Sequence, residues 1–399
     1  MRTGIQSALG VVVVGVALAV GVALLVRGPG LGSDAQVASA RAALAAGQLD
    51  AAQAGARAAL GQDPTSVDAL VVLAEVAIAR DDLEAAQALH GEAARRSQRA
   101  VTSHAWLASR LGGQGDVAGA LHHVDVLLRG HFNLRDSLYP ALAQLLDSAA
   151  GVEALAGRLA EAPAWRLGFL SHVGRDADTR SEAVLALYSA LEHTPNPPTL
   201  QERQPLLQRL VGEGRYRQAW LMFVATLDGP GIAELGNVFN GGFELDSSGL
   251  PFDWQFGRVA GAVIEQVQAV DDDGERSRRL RIEFLNRRVP FNHVGQLLLL
   301  DPGEYRLEGR VRLESLANPR GLQWVIHCAP APGTELLRSE RFSGTRAWGR
   351  FGEEFSVPAE GCEAQWLRLQ IPARIDSERQ VSGRAWFDAI AIHRAARAE

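Results

Sequence analysis

With 399 residues, 47% of them apolar, the chain has room for two or three domains, each with its own core. A formal net charge of −6 argues against nucleic acid as a partner, because a phosphate-binding surface needs clustered cations. Only two cysteines are present, which excludes a cysteine-rich zinc module and allows at most one disulfide.

The chain opens on an apolar run. From Ala8 to Val26 every residue is Ala, Val, Leu or Gly. About 20 apolar residues cross a hydrocarbon core of roughly 30 Å, so this run predicts a membrane span. A secretory apolar region is shorter, about 7–15 residues, and ends at a small-residue cleavage site; here the run ends Leu24-Leu25-Val26-Arg27. Residues 1–32 are therefore expected to form an uncleaved anchor, with a very short head and the bulk of the chain outside the cytoplasm. That places the protein in a bacterial inner membrane, single-pass, with its soluble part in the periplasm.

The next segment repeats. Gly47, Asp81 and Gly115 are 34 residues apart, as are Ala52, Ala86 and Ala120, and also Ala59, Ala93 and Leu127; Leu73 and Leu107 share one register. Small residues at fixed positions let the two helices of a hairpin approach closely. A 34-residue repeat of this layout resembles the tetratricopeptide family, which implies a solenoid that binds a protein partner. There are departures: the aromatic positions of that family are mostly Ala, Leu or His here, and Asp81 replaces the usual glycine. From Arg135 to Pro198 helices are expected without the register. A last hairpin, with Leu206, Leu207, Leu210, Gly214 and Ala219 in corresponding places, closes the array near Leu227. The helical domain is set at 33–234.

Beyond it the period changes to two. Leu307, Val311 and Leu313 alternate with Arg306, Glu308, Arg310, Arg312 and Glu314, and Leu367, Leu369 and Ile371 alternate with Arg368 and Gln370. Such runs are strands with one face buried and one wet. Turn signals separate them, among them Asp271-Asp272-Asp273-Gly274, Asp301-Pro302-Gly303 and Asn318-Pro319-Arg320-Gly321, so the segment reads as an antiparallel sandwich. The run Asn240-Gly241-Gly242-Phe243-Glu244 at its start and Trp386-Phe387-Asp388-Ala389-Ile390 at its end resemble the first and last strands of carbohydrate-binding jelly rolls related to families 4 and 9. The resemblance covers roughly residues 237–396 and implies an all-β jelly-roll domain at 235–399. The chain as a whole is then multidomain: anchor, all-α solenoid, all-β sandwich.

No catalytic constellation is apparent. His122 and His123 are adjacent on a helix and cannot chelate as an i,i+4 pair, so they read as a solvated face. Glu353 and Glu354 are strand neighbours facing opposite sides and cannot flank one glycosidic bond. The chain is therefore expected not to be an enzyme and to need no cofactor. What carries chemistry is the tryptophan complement of the sandwich, since aromatic faces stack on pyranose rings. Trp254 and Trp386 fall inside the strands that define the fold and are assigned to structure. Trp324, Trp348 and Trp366 are the candidate carbohydrate contacts. In many modules of the resembled type a carboxylate near each end of the chain holds a structural calcium, and the resemblance puts Glu244 and Asp388 in those places. A Cys328–Cys362 bridge stays open: Cys328 shares strand parity with Leu322 and Trp324, whereas Cys362 shares it with Arg368 and Gln370. Two functions fit. One is a non-catalytic membrane-anchored envelope scaffold whose repeats bind a protein and whose sandwich binds polysaccharide, in exopolysaccharide assembly or export. The other is a scaffold for proteins alone, with no sugar site.

Overall fold

The computed structural model describes residues 35–270, 276–330 and 333–395. The expected membrane segment 8–26 and the turn at 271–274 lie outside the described residues; among the described residues no helix is long and apolar enough to cross a membrane. The chain divides into two compact units between Glu202 and Arg203.

The first unit is helical. Three hairpins lead it: α1 (Ala35–Ala45) with α2 (Leu49–Gln62), α3 (Val67–Ala79) with α4 (Leu83–Arg96), and α5 (Val101–Gly113) with α6 (Val117–Gly130). The expected 34-residue spacing is that of their turns. Gly47, Asp81 and Gly115 all take positive φ, at 73°, 59° and 85°, where glycine is strain-free and aspartate is tolerated. The residue after each turn is the N-cap of the second helix, and the side chains of Asp82 and Asp116 cap it by accepting from the amides of Ala85 and Gly119. Ala52, Ala86, Ala59 and Ala93 are wholly buried and Ala120 nearly so, which is why their positions admit only small side chains. After α6 the regular spacing stops, as α7 (Arg135–Ala143), α8 (Ala149–Leu159), α9 (Arg166–Arg175) and α10 (Ser181–Glu192) follow. Specific polar contacts hold this part: Trp165 Nε1 donates to Asp125 Oδ1 at 2.8 Å, and a buried ion pair joins Arg166 Nε to Glu202 Oε1 at 2.9 Å.

The second unit begins inside α11 (Leu200–Gly212), so the last hairpin belongs to the sandwich and not to the helical array. The cause is aromatic packing. On α12 (Tyr216–Val224), Trp220 meets Phe252 and Phe223 meets Phe239, both with ring centroids 5.2 Å apart. Arg217 Nη2 reaches Asp301 at 3.2 Å. The boundary expected at residue 234 falls between a hairpin and the surface it covers. A short helix α13 (Gly229–Ala233) leads into the strands.

Two five-stranded antiparallel sheets make the sandwich. The first has the order β1 (Gln255–Phe256), β4 (Val294–Leu298), β9 (Gln365–Gln370), β6 (Gln323–Cys328), β7 (Glu335–Arg338). The second has the order β2 (Ala262–Val270), β3 (Arg276–Arg288), β10 (Gln380–Arg394), β5 (Gly303–Ala317), β8 (Gly344–Val357). Their inner faces share one core, with Leu280, Ile282, Leu307, Val311, Trp324, Leu367 and Phe387 among its members. The two sequence bookends meet. Ile390 N donates to Gly241 O at 2.9 Å, and a Cβ on residue 241 would lie 1.9 Å from Ile390 O, so only glycine fits. The Trp254 indole donates to Asn240 O at 2.9 Å. Cys328 and Cys362 form a disulfide. The parity that left this bridge open does not reach Cys362, which lies in the loop before β9.

Candidate functional site

Register assigns each tryptophan to a face. Trp324 pairs with Leu369 and points inward; it is fully buried, packed at 5.8 Å from Trp254 and 5.4 Å from Phe387. It cannot stack a ligand, which removes it from the candidate contacts. Trp366 lies on the opposite parity of β9, the middle strand of the first sheet, and is half-buried on the outer face. Directly across from it stand His327 on β6 and Leu297 on β4. Two residues along β9, Arg368 shares that face, opposite Val325 and Gly295, and Gln255 lies beyond Gly295 on β1. A Cβ at Gly295 would come within 3.1 Å of Arg368 Cγ, so the glycine leaves room for that side chain. The guanidinium folds back over the Trp366 ring, 4.7 Å from its centroid. Gln370 and Gln323 pair one step further along. The first sheet thus presents an indole, an arginine, an imidazole and the Gln370 amide on one surface, while Leu297, Val325 and Gln323 on the same face are buried, the last with its amide donating to Ser339 O.

Electrostatics on this surface are unbalanced. Burial pushes the Arg368 pKa down from its ordinary value, but a guanidinium stays charged throughout the usable pH range. Burial also pushes the His327 pKa down; Arg338 and Arg368 act in the same direction, against Glu335 and the Gly333 backbone. At neutral pH the imidazole is therefore uncharged. Arg338 pairs with Glu335, Nε to Oε1 at 3.0 Å.

The outer face of the second sheet differs. Trp348 lies between Arg279 and Arg310, whose guanidinium carbons sit 5.0 and 5.2 Å from its ring. Trp386 is half-buried on that face too, opposite Arg281 and Arg312. Arginine–carboxylate pairs fill the surroundings: Arg281 with Glu265, and Arg384 with Glu283 and Glu314. Both indoles are built into an ion-pair lattice.

The carboxylates proposed for calcium do not fit it. Asp388 is nearly buried and faces two cations, Arg279 Nε at 3.9 Å and Arg310 Nη1 at 3.7 Å, while accepting from Ala389 N. Glu244 Oε1 accepts from Arg278 N at 3.1 Å. Among the described residues no three His, Cys, Asp or Glu side chains converge as metal ligands. Two guanidinium groups supply the positive charge that a calcium would bring to Asp388.

On the helices, His122 is exposed as expected, but His123 turns inward, its Nδ1 2.9 Å from that of His104. A cleft of about 450 Å³ lies elsewhere in the second unit, lined by Arg215, Tyr216, Arg217 and Asp301 and by none of the candidate tryptophans.

No family model and no curated protein matches the chain. Among solved structures, one described as "CBM4 structure and function" is 15% identical, with a TM-score of 0.30, over 40% of this chain and 99% of that one. The CBM22-1 xylan-binding domain of Paenibacillus barcinonensis Xyn10C is 14% identical, with a TM-score of 0.26, over 39% of this chain and 94% of its own. TmCBM61, solved with β-1,4-galactotriose, is 15% identical, with a TM-score of 0.27, over 40% and 99%. These neighbours are carbohydrate-binding modules. At such scores they decide neither ligand nor activity for this chain.

Proposed function

We propose that the second unit is a non-catalytic glycan-binding module and that its binding surface is the outer face of the first sheet, centred on Trp366. The observation that carries this reading is a half-buried indole on the middle strand of a sheet, with Gln255, Gln370, His327 and Arg368 on the same surface. An apolar ring face bordered by hydrogen-bonding groups is what a pyranose needs: stacking for its C–H face, donors and acceptors for its hydroxyls. The second sheet is the poorer platform, because a neutral sugar there would have to displace or desolvate paired charges. In this reading the three helical hairpins hold a protein partner and the apolar segment 8–26 anchors the chain in the envelope, an arrangement suited to exopolysaccharide assembly or export.

One observation favours the scaffold alternative with no sugar site. The Arg368 guanidinium already covers a face of the Trp366 ring, so the free surface satisfies its own aromatic group. Titration of the full chain with oligosaccharides, followed by intrinsic tryptophan fluorescence, separates the two. Binding is expected to change the spectrum of the wild type and of Trp348→Ala, and to leave Trp366→Ala silent. A panel of neutral and acidic oligosaccharides without any response would leave the protein-only scaffold standing.

A further inference from the structure

Arg368 is half-buried, and among the described residues its side chain has neither a carboxylate nor a hydrogen-bond partner; the Trp366 ring is its one specific contact. The arginine beside it on the same face is differently placed: Arg338, across Val325 on β7, has Glu335. A guanidinium taken partly out of water without a counter-charge is costly, and the cost is recovered when an anion reaches it. Cation–π contact is also weaker than a bidentate carboxylate pair, so an arriving carboxylate can draw the guanidinium off the indole and open the ring. On a pyranose the acid group of a uronate is bonded to the ring itself. Once the guanidinium has left the ring, one sugar residue can place its carboxylate on Arg368 and its C–H face on Trp366.

Resting on the glycan reading above, we propose that this face binds an acidic polysaccharide, with a uronate carboxylate taken by Arg368 and the same sugar ring stacked on Trp366. A neutral sugar gains no such exchange, since it must displace the arginine without replacing its partner. Selectivity for acid over neutral follows from that exchange.

The test uses the full chain and tetrasaccharides of galacturonate, mannuronate and glucuronate, each beside its carboxyl-reduced neutral counterpart, titrated by calorimetry at low and high salt. At least one acidic probe is expected to bind tenfold or more tighter than its reduced form, with the advantage shrinking at high salt. Arg368→Gln is expected to abolish that difference. Trp366→Ala is expected to weaken both forms. If the reduced sugars bind the wild type as tightly as the acids, acid selectivity is overturned and the glycan reading survives. If Arg368→Gln keeps the preference, the assignment to Arg368 is wrong. If no probe binds, both readings fall.

Discussion

Trp324 and Trp366 stand on adjacent strands of one sheet, yet one is core and the other surface. Trp324→Ala should cost about 3–5 kcal/mol, the range for deleting a fully buried large aromatic ring. Trp366→Ala should leave stability within about 1 kcal/mol of wild type while removing the fluorescence response to glycan. Urea denaturation of the two variants checks the contrast. The distinction was only half legible in the sequence. Trp366 could be placed because Leu367, Arg368, Leu369 and Gln370 alternate cleanly. Trp324 could not, because Gln323, Trp324, Val325 and Ile326 are all buried, and a strand covered on both faces shows no period of two. His327 went unnoticed because a single imidazole in such a run carries no pattern. It supplies a pH test: its pKa is held below the usual value, so it gains a proton only under mild acid. The added cation then faces Trp366 and Arg368 from β6, with Glu335 and Arg338 beside it on β7. Affinity for an acidic tetrasaccharide should rise as pH falls below the ordinary imidazole range, and His327→Gln should flatten that rise.

At the scale of elements, the hairpin register was readable because backbone geometry enforces it. A left-handed turn residue recurs every 34 residues, followed in the second and third hairpins by a helix with an aspartate cap, and glycine or aspartate is what that conformation admits. Helices α7 to α10 gave no period because particular pairs fix their packing, such as Trp165 with Asp125 and Arg166 with Glu202, and these recur nowhere else. Ala86 is wholly buried, so Ala86→Leu should overpack its site and cost about 1–3 kcal/mol by thermal or chemical unfolding. The same hairpins carry an acid weakness. Burial pulls the pKa of His90 and of His123 down to about 4, and His104 is shifted the same way. The unfolded chain therefore binds more protons than the folded one between about pH 6.5 and 4. Stability from these groups is complete above that window and is lost as pH falls through it. For His90 the loss is on the order of 3 kcal/mol. His90→Gln should keep a hydrogen bond to Ser103 and remove part of the acid loss seen by circular dichroism.

For the molecule as a whole, the sandwich was recognisable but its limits were not. A fragment beginning at residue 235 would lack α12, exposing Phe239 and Phe252, and should aggregate or melt well below the full chain; one retaining residues 199–399 should not. Reducing the Cys328–Cys362 bridge, which spans 34 residues, should cost roughly 2–4 kcal/mol of the second unit's stability through the freedom restored to its unfolded state. Comparing denaturation midpoints with and without reductant measures it.

β10, the last strand among the described residues, is the middle strand of the second sheet, and it also carries the backbone partner of Gly241. During synthesis, β2–β3 and β5–β8 therefore exist as two half-sheets with open edges until β10 has been made. Residues 380–394 must leave the ribosome before this unit can close. Nascent chains stalled before Gln380 should be digested by protease, and those extended beyond Arg394 should resist it. A chain cut before Gln380 would lose the centre of the second sheet rather than its margin.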